Sequence, residues 1–225
     1  MNQMNQLSLN LCAIGVFAMT LSVLLGPLLN IPSAFPAIAV ATILIFATVD
    51  VLSLEGKGGN LFLDWVAGFS PVHRERVIRH EAGHFLVAQL LGISVTDYSV
   101  SAWEAIRKGF SGLGGVQFDT SILDDELRAG RISSQWLDRF CTVWMAGIAA
   151  EQLMYPMAEG GGDDRSKFRL ILSQIPGMDS VKKERSALLQ AKTLIEENQD
   201  AFDRLVVAMS DRSTVEDCVG AIAAE

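Results

Sequence analysis

Hydrophobic positions change their rhythm twice along this 225-residue chain. Over residues 7–29 and again over 35–54 they are nearly continuous, with Pro32 between them and Pro36 at the start of the second. Each run is long enough to cross a hydrocarbon core of about 30 Å as a helix. The pattern predicts a two-helix transmembrane hairpin occupying 1–56. A connector with Gly56, Gly58 and Gly59 then opens a stretch of ordinary charge density, 57–225. There Ser70-Pro71 reads as an N-cap and first-turn proline and Gly92 as a stop, predicting a helix over 71–91. Segments 93–100 and 113–118, rich in Val, Ile, Tyr and Phe around a Gly-rich link, predict two short strands. From Ser133 onward the spacing is helical almost to the end, with breaks at 159–164 and near Pro176. Trp136, Phe140, Trp144 and Ile148 form a stripe expected in the core against the first soluble helix, and 181–222 reads as an amphipathic bundle segment. The expected fold class is α+β, a mainly helical domain with a small sheet behind a transmembrane hairpin.

Charge refines this picture. Eighteen Lys and Arg against 26 Asp and Glu give a net charge of −8, which argues against a nucleic-acid partner, and a half-hydrophobic composition excludes disorder. No Lys or Arg precedes Lys57, whereas Lys57, Arg74, Arg76 and Arg79 follow the second run and the turn 30–36 carries none. Cations gather on the cytoplasmic side of spans, so both termini are expected on the cytoplasmic-type side of a plasma or thylakoid membrane. The N-terminal MNQMNQ lacks the positive charge of a signal peptide, so the first run is expected to persist as a span. Asp50, near the end of the second span, is expected to be solvated at the interface. Cys12, Cys141 and Cys218 are an odd number with no CxxC pair, and read as reduced packing residues.

The chemistry enters with His80-Glu81-Ala82-Gly83-His84. Residues four apart on a helix are surface neighbours, so two imidazoles can converge on one zinc ion, and Glu81 can act as general base toward a water the metal activates. The flanking Phe85 to Leu91 is apolar nearly all round and predicts burial, while Arg74, Glu75, Arg76 and Arg79 argue against a motif inside the bilayer. A third ligand must come from elsewhere. His73, about 10.5 Å along the helix axis, is too far and is expected to be an exposed helix-start residue. The candidates are Glu151, on a helix whose small residues Ala146, Gly147, Ala149 and Ala150 permit close approach, and Asp163 or Asp164 after three glycines. An Asp in that place is equally an ordinary N-cap, and the residues alone do not choose.

Three segments in order resemble the FtsH-type membrane zinc metallopeptidases. They are HEAGH, the Leu113-Gly114-Gly115-Val116 strand, and Met145 to Glu151 followed by Glu159-Gly160-Gly161-Gly162-Asp163-Asp164. The resemblance covers about residues 60–175 and implies a zincin-like peptidase fold, Asp164 as third zinc ligand, Glu151 as a supporting residue, and a strand beside the cleft. The chain departs from the full-length members in having no GxxxxGK[ST] motif and no room for an ATPase domain between the two spans and HEAGH. It looks most like the short, ATPase-free FtsH-like proteins of photosynthetic membranes.

The expected activity is an ATP-independent, membrane-anchored zinc metalloendopeptidase with one zinc per chain. His80, His84 and Asp164 bind the metal, Glu81 is catalytic, and Leu113, Gly114, Gly115 and Val116 present an edge to extended protein or peptide substrates. The alternative is a catalytically idle zinc-containing scaffold or assembly factor, which has no use for Glu81. Membrane lipid is the other expected partner. A homo-oligomer and a partner membrane ATPase or protease stay open.

Overall fold

A computed structural model describes residues 3–26, 28, 30, 32, 34–53, 59, 66, 70–110, 115–130, 133–175 and 177–224. The chain divides into two compact units, Met1–Ser70 and Pro71–Glu225. In the first, α1 (Gln3–Leu25) and α2 (Ala34–Ser53) are apolar, and side chains such as Phe17, Leu24, Phe35 and Phe46 are exposed. Within α1, Ser8–Leu25 has a mean hydropathy of 2.0 and is long and apolar enough to cross a membrane, whereas the apolar part of α2, Ala34–Asp50, is shorter. Asp50 accepts a hydrogen bond from the Gly59 amide at 2.7 Å.

The second unit is mainly helical with one two-stranded sheet. Its elements are α3 (Pro71–Leu90), β1 (Val95–Ser99), α4 (Ala102–Arg107), β2 (Gly115–Phe118), α5 (Ser121–Arg128), α6 (Ser134–Met154), α7 (Gly162–Ser173), α8 (Ser180–Glu197), α9 (Gln199–Ser210) and α10 (Val215–Ala223). Helix α3 begins at the proline and stops at Gly92, whose φ of 72° suits a residue without Cβ. Its first two turns are largely exposed, and from Ala82 to Ala88 every residue is buried, as an all-round apolar segment requires. Helix α6, capped by Ser133 accepting from the Trp136 amide at 3.2 Å, is buried without a break from Phe140 to Glu151.

The two helices form the core pair. A Cβ added at Gly83 would stand 2.6 Å from the Ala146 carbonyl oxygen and 2.7 Å from the Ala150 Cβ, so their backbones meet where only glycine and alanine fit. Helix α8 packs on α6, α9 on α3, and α10 on α9 and β1. Phe85, Phe140, Phe168 and Phe202 are solvent-free in this core, each worth roughly 1.5–3 kcal/mol of burial. Of the aromatic stripe, Phe140, Trp144 and Ile148 are buried and Trp136 is half-buried. Cys141 and Cys218 are free and buried, and Cys12 is free and exposed.

Strands β1 and β2 pair antiparallel, with Tyr98 opposite Val116, Ser99 opposite Gly115, and an irregularity between Val95 and Asp97. Among the described residues nothing pairs with the other edge of β2. Helices α4 and α5 were not predicted. The first is six residues long and starts where Ser101 accepts from the Glu104 amide at 3.3 Å, a local cap that hydrophobic spacing does not reveal. Leu113 and Gly114 lie outside the described residues.

Candidate metal centre

His80 and His84, one turn apart on α3, are 7% and 4% exposed. The Nδ1–H of His80 donates to Glu151 Oε1 at 2.7 Å, and the Nδ1–H of His84 donates to the Val143 carbonyl at 2.7 Å. Each bond fixes the ring so that Nε2 is the inward-facing nitrogen, the usual outer support of a metal-binding histidine. The two Nε2 atoms are 3.1 Å apart, and Asp164 Oδ2 stands 3.1 Å from the first and 3.4 Å from the second. These separations match the edge of a tetrahedron whose centre-to-corner bonds are about 2.0–2.1 Å, which is about 3.3 Å. Three electron-rich atoms held this close need a positive charge among them, and this buried group can hold a metal ion.

The charges of the site answer to the same need. Burial by itself lowers the pKa of His80, but hydrogen bonds to Asp164 and Glu151 and the charges of Glu81 and Asp164 outweigh it and lift the value to about 10. Burial likewise opposes ionisation of Asp164, yet the charge of His84 and the bonds to both histidines hold the carboxyl well below the usual range. Without a metal, a proton on His80 supplies the positive charge.

Asp164 reaches the histidines because of how α7 begins. Gly161 occupies the N-cap with φ 85°, a left-handed conformation natural to glycine, and makes no side-chain cap. Asp163 and Asp164 therefore fall in the first turn, where the helix dipole favours carboxylates. Asp164 turns toward Nε2 of both rings, while Asp163 is exposed and the N-cap role goes to Gly161.

Glu151 approaches His80 at the other nitrogen. Its Oε1 also accepts the Gly160 amide at 3.0 Å and its Oε2 the Glu159 amide at 2.8 Å. Burial raises its pKa, but these bonds and the His80 contact bring it below the ordinary value. Glu81 is different. Burial pushes its pKa up, with the His80 and His84 charges opposing, and its buried Oε2 has no hydrogen-bond partner among the described residues. The nearest atom to a Cβ built on Gly115, the first residue of β2, is this same oxygen at 3.8 Å. His73 lies in the first turn of α3, half-buried instead of exposed, outside the metal-capable group.

Two contributors escaped the sequence reading. The Val143 carbonyl is a backbone group with no residue signature. Gly147 lies directly against the site, since a Cβ there would overlap Nε2 of both histidines. Only its place in a run of small residues hinted at close approach. No protein-family model matches this chain, and no curated protein matches it.

Proposed function

We propose that this chain is a membrane-anchored, ATP-independent zinc metalloendopeptidase of FtsH type that cuts unfolded or exposed protein segments. The observation that carries the reading is the meeting of two ring-locked imidazoles and the Asp164 carboxylate beside Glu81, whose buried Oε2 has no hydrogen-bond partner among the described residues. Imidazole and carboxylate donors suit zinc, and a set of three protein ligands is the pattern of catalytic sites, since structural ones usually fill all four positions. His80, His84 and Asp164 are then the ligands of one zinc. Bound zinc supplies Lewis acidity, which makes water nucleophilic near neutral pH and polarises a carbonyl.

The remaining work falls to the chain. Glu81 takes the proton from the attacking water and returns it to the leaving amine, and its raised pKa suits both steps. The burial of His80, His84 and the Oε2 atom of Glu81 keeps bulk water from competing for that proton. The open edge of β2 binds an extended peptide by backbone hydrogen bonds, which demand little of its side chains, and its start at Gly115 adjoins Glu81. In this reading α1 and α2 are the two spans of the hairpin, with both termini on the cytoplasmic-type side, and the second unit is a zincin-like domain.

The test is zinc content together with cleavage of an unfolded protein by the full chain, wild type against Glu81→Gln. We expect zinc to be retained and the rate to fall by about 10²–10⁴, the usual contribution of a general base. Equal cleavage by both refutes the assignment.

A further inference from the structure

Arg76, one turn before His80 on α3, is used neither for metal binding nor for the proposed reaction. Its side chain is nevertheless only 12% exposed and is turned away from its own helix toward the segment between α6 and α7. Nη1 donates to Glu151 Oε2 at 3.4 Å and to the Met157 carbonyl at 3.2 Å, and it lies 3.4 Å from Glu159 Oε1. The guanidinium carbon stands 4.2 Å from the centroid of the Tyr155 ring. One cation thus meets the end of α6, the carboxylate that orients His80, and the loop that leads to Asp164.

We infer that Arg76 is a positioning residue that clamps residues 155–160 onto Glu151, and so holds His80 and the start of α7 in ligating geometry. The inference rests on the metal-centre reading above. Residues 155–161 form no helix or strand, and the Glu159 and Gly160 amides tie the segment to Glu151. Glu151 is 1% exposed, and a carboxylate so buried is costly unless it is compensated. Arg76 supplies a charge there that salt screens far less than it would a surface pair. Its flat guanidinium stacks on Tyr155 while Nη1 donates, which a lysine ammonium does not reproduce. A solvated surface arginine would not be drawn toward four residues of one distant segment.

The experiment compares the full chain in detergent micelles as wild type, Arg76→Met and Arg76→Lys. Hydrogen exchange resolved to the 156–161 fragment is read on chelated protein, and zinc affinity by chelator competition. In Arg76→Met we expect exchange of the Glu159 and Gly160 amides to quicken about 10-fold and zinc affinity to fall about 10-fold, the lower end for loss of an outer support. Exchange over 82–88 stays at the wild-type rate, and Arg76→Lys recovers part of both effects. Wild-type exchange in Arg76→Met, or faster exchange with undiminished zinc affinity, overturns the inference. A wild-type chain that takes up no zinc overturns the underlying reading and the inference together, and is distinguished by that control alone. If Arg76→Met does not fold, Glu159→Gln weakens the same clamp from its other end, and unchanged exchange there also refutes it.

Discussion

Gly147→Ala separates helix stability from the metal centre. Gly147 lies inside α6, where replacing glycine by alanine favours the helix by up to about 1 kcal/mol. The added methyl, however, would fall well inside van der Waals contact with Nε2 of both His80 and His84. Ordinary carbon contacts lie near 3.5–4.0 Å, so the rings must withdraw by about 1 Å. Metal sites hold their bond lengths to about 0.2 Å, and a displacement several times larger at two of the three proposed ligands should cost at least about 100-fold in zinc affinity. The surrounding fold has no comparable reason to fail. Gly220→Ala in α10 is the control, because nothing lies within 4 Å of its added Cβ. Zinc affinity by chelator competition and thermal melting of the chelated protein would be measured on all three chains. Gly220→Ala should match or slightly exceed wild-type stability and bind zinc normally, while Gly147→Ala loses the metal. Undiminished zinc binding by Gly147→Ala would show that the Nε2 atoms are not the ligand atoms.

Other expectations follow from the same geometry. Asp164→Asn should lower zinc content sharply and Asp163→Asn should leave it unchanged, because only Asp164 faces both histidines; equal loss in the two variants would contradict this. Proton and metal compete for His80, whose raised pKa of about 10 keeps it protonated at neutral pH in the metal-free protein. Zinc affinity should therefore rise with pH, about tenfold per unit for the one proton displaced; a flat profile between about pH 6.5 and 8 would count against it. Phe85→Ala should cost about 3–5 kcal/mol in chemical denaturation, since the ring is wholly buried between α3 and its neighbours; a loss under about 1 kcal/mol would mean the site collapses freely.

The hydrophobic rhythm placed α3 within one residue of its observed end, because a proline start, a glycine stop and an unbroken apolar run all act locally. It also found both strands, although β1 is shorter than its β-forming stretch, since pairing and not propensity ends a strand. Helix α4 stayed hidden because six residues carry too little periodicity, and its cap competes with the turn signals around it. The N-cap alternative for Asp163 or Asp164 gave way because Gly161, free to take a positive φ, caps α7 two or three residues earlier.

HExxH spacing on one helical face is a local property, so the chain's linear order was enough to name His80, Glu81 and His84 as one constellation. Its order likewise sufficed to mark the apolar N-terminal run and the two small strands. Choosing between Glu151 and Asp164 was not a local matter. Both are acids distant in sequence, and which nitrogen of His80 each one meets depends on the crossing of α3 with α6 and the turn into α7. That crossing is governed by side chains that are missing as much as by those present. Gly83 and Gly147 bring backbone against backbone and leave room for two imidazoles, a spatial fit between segments some sixty residues apart that no linear pattern encodes.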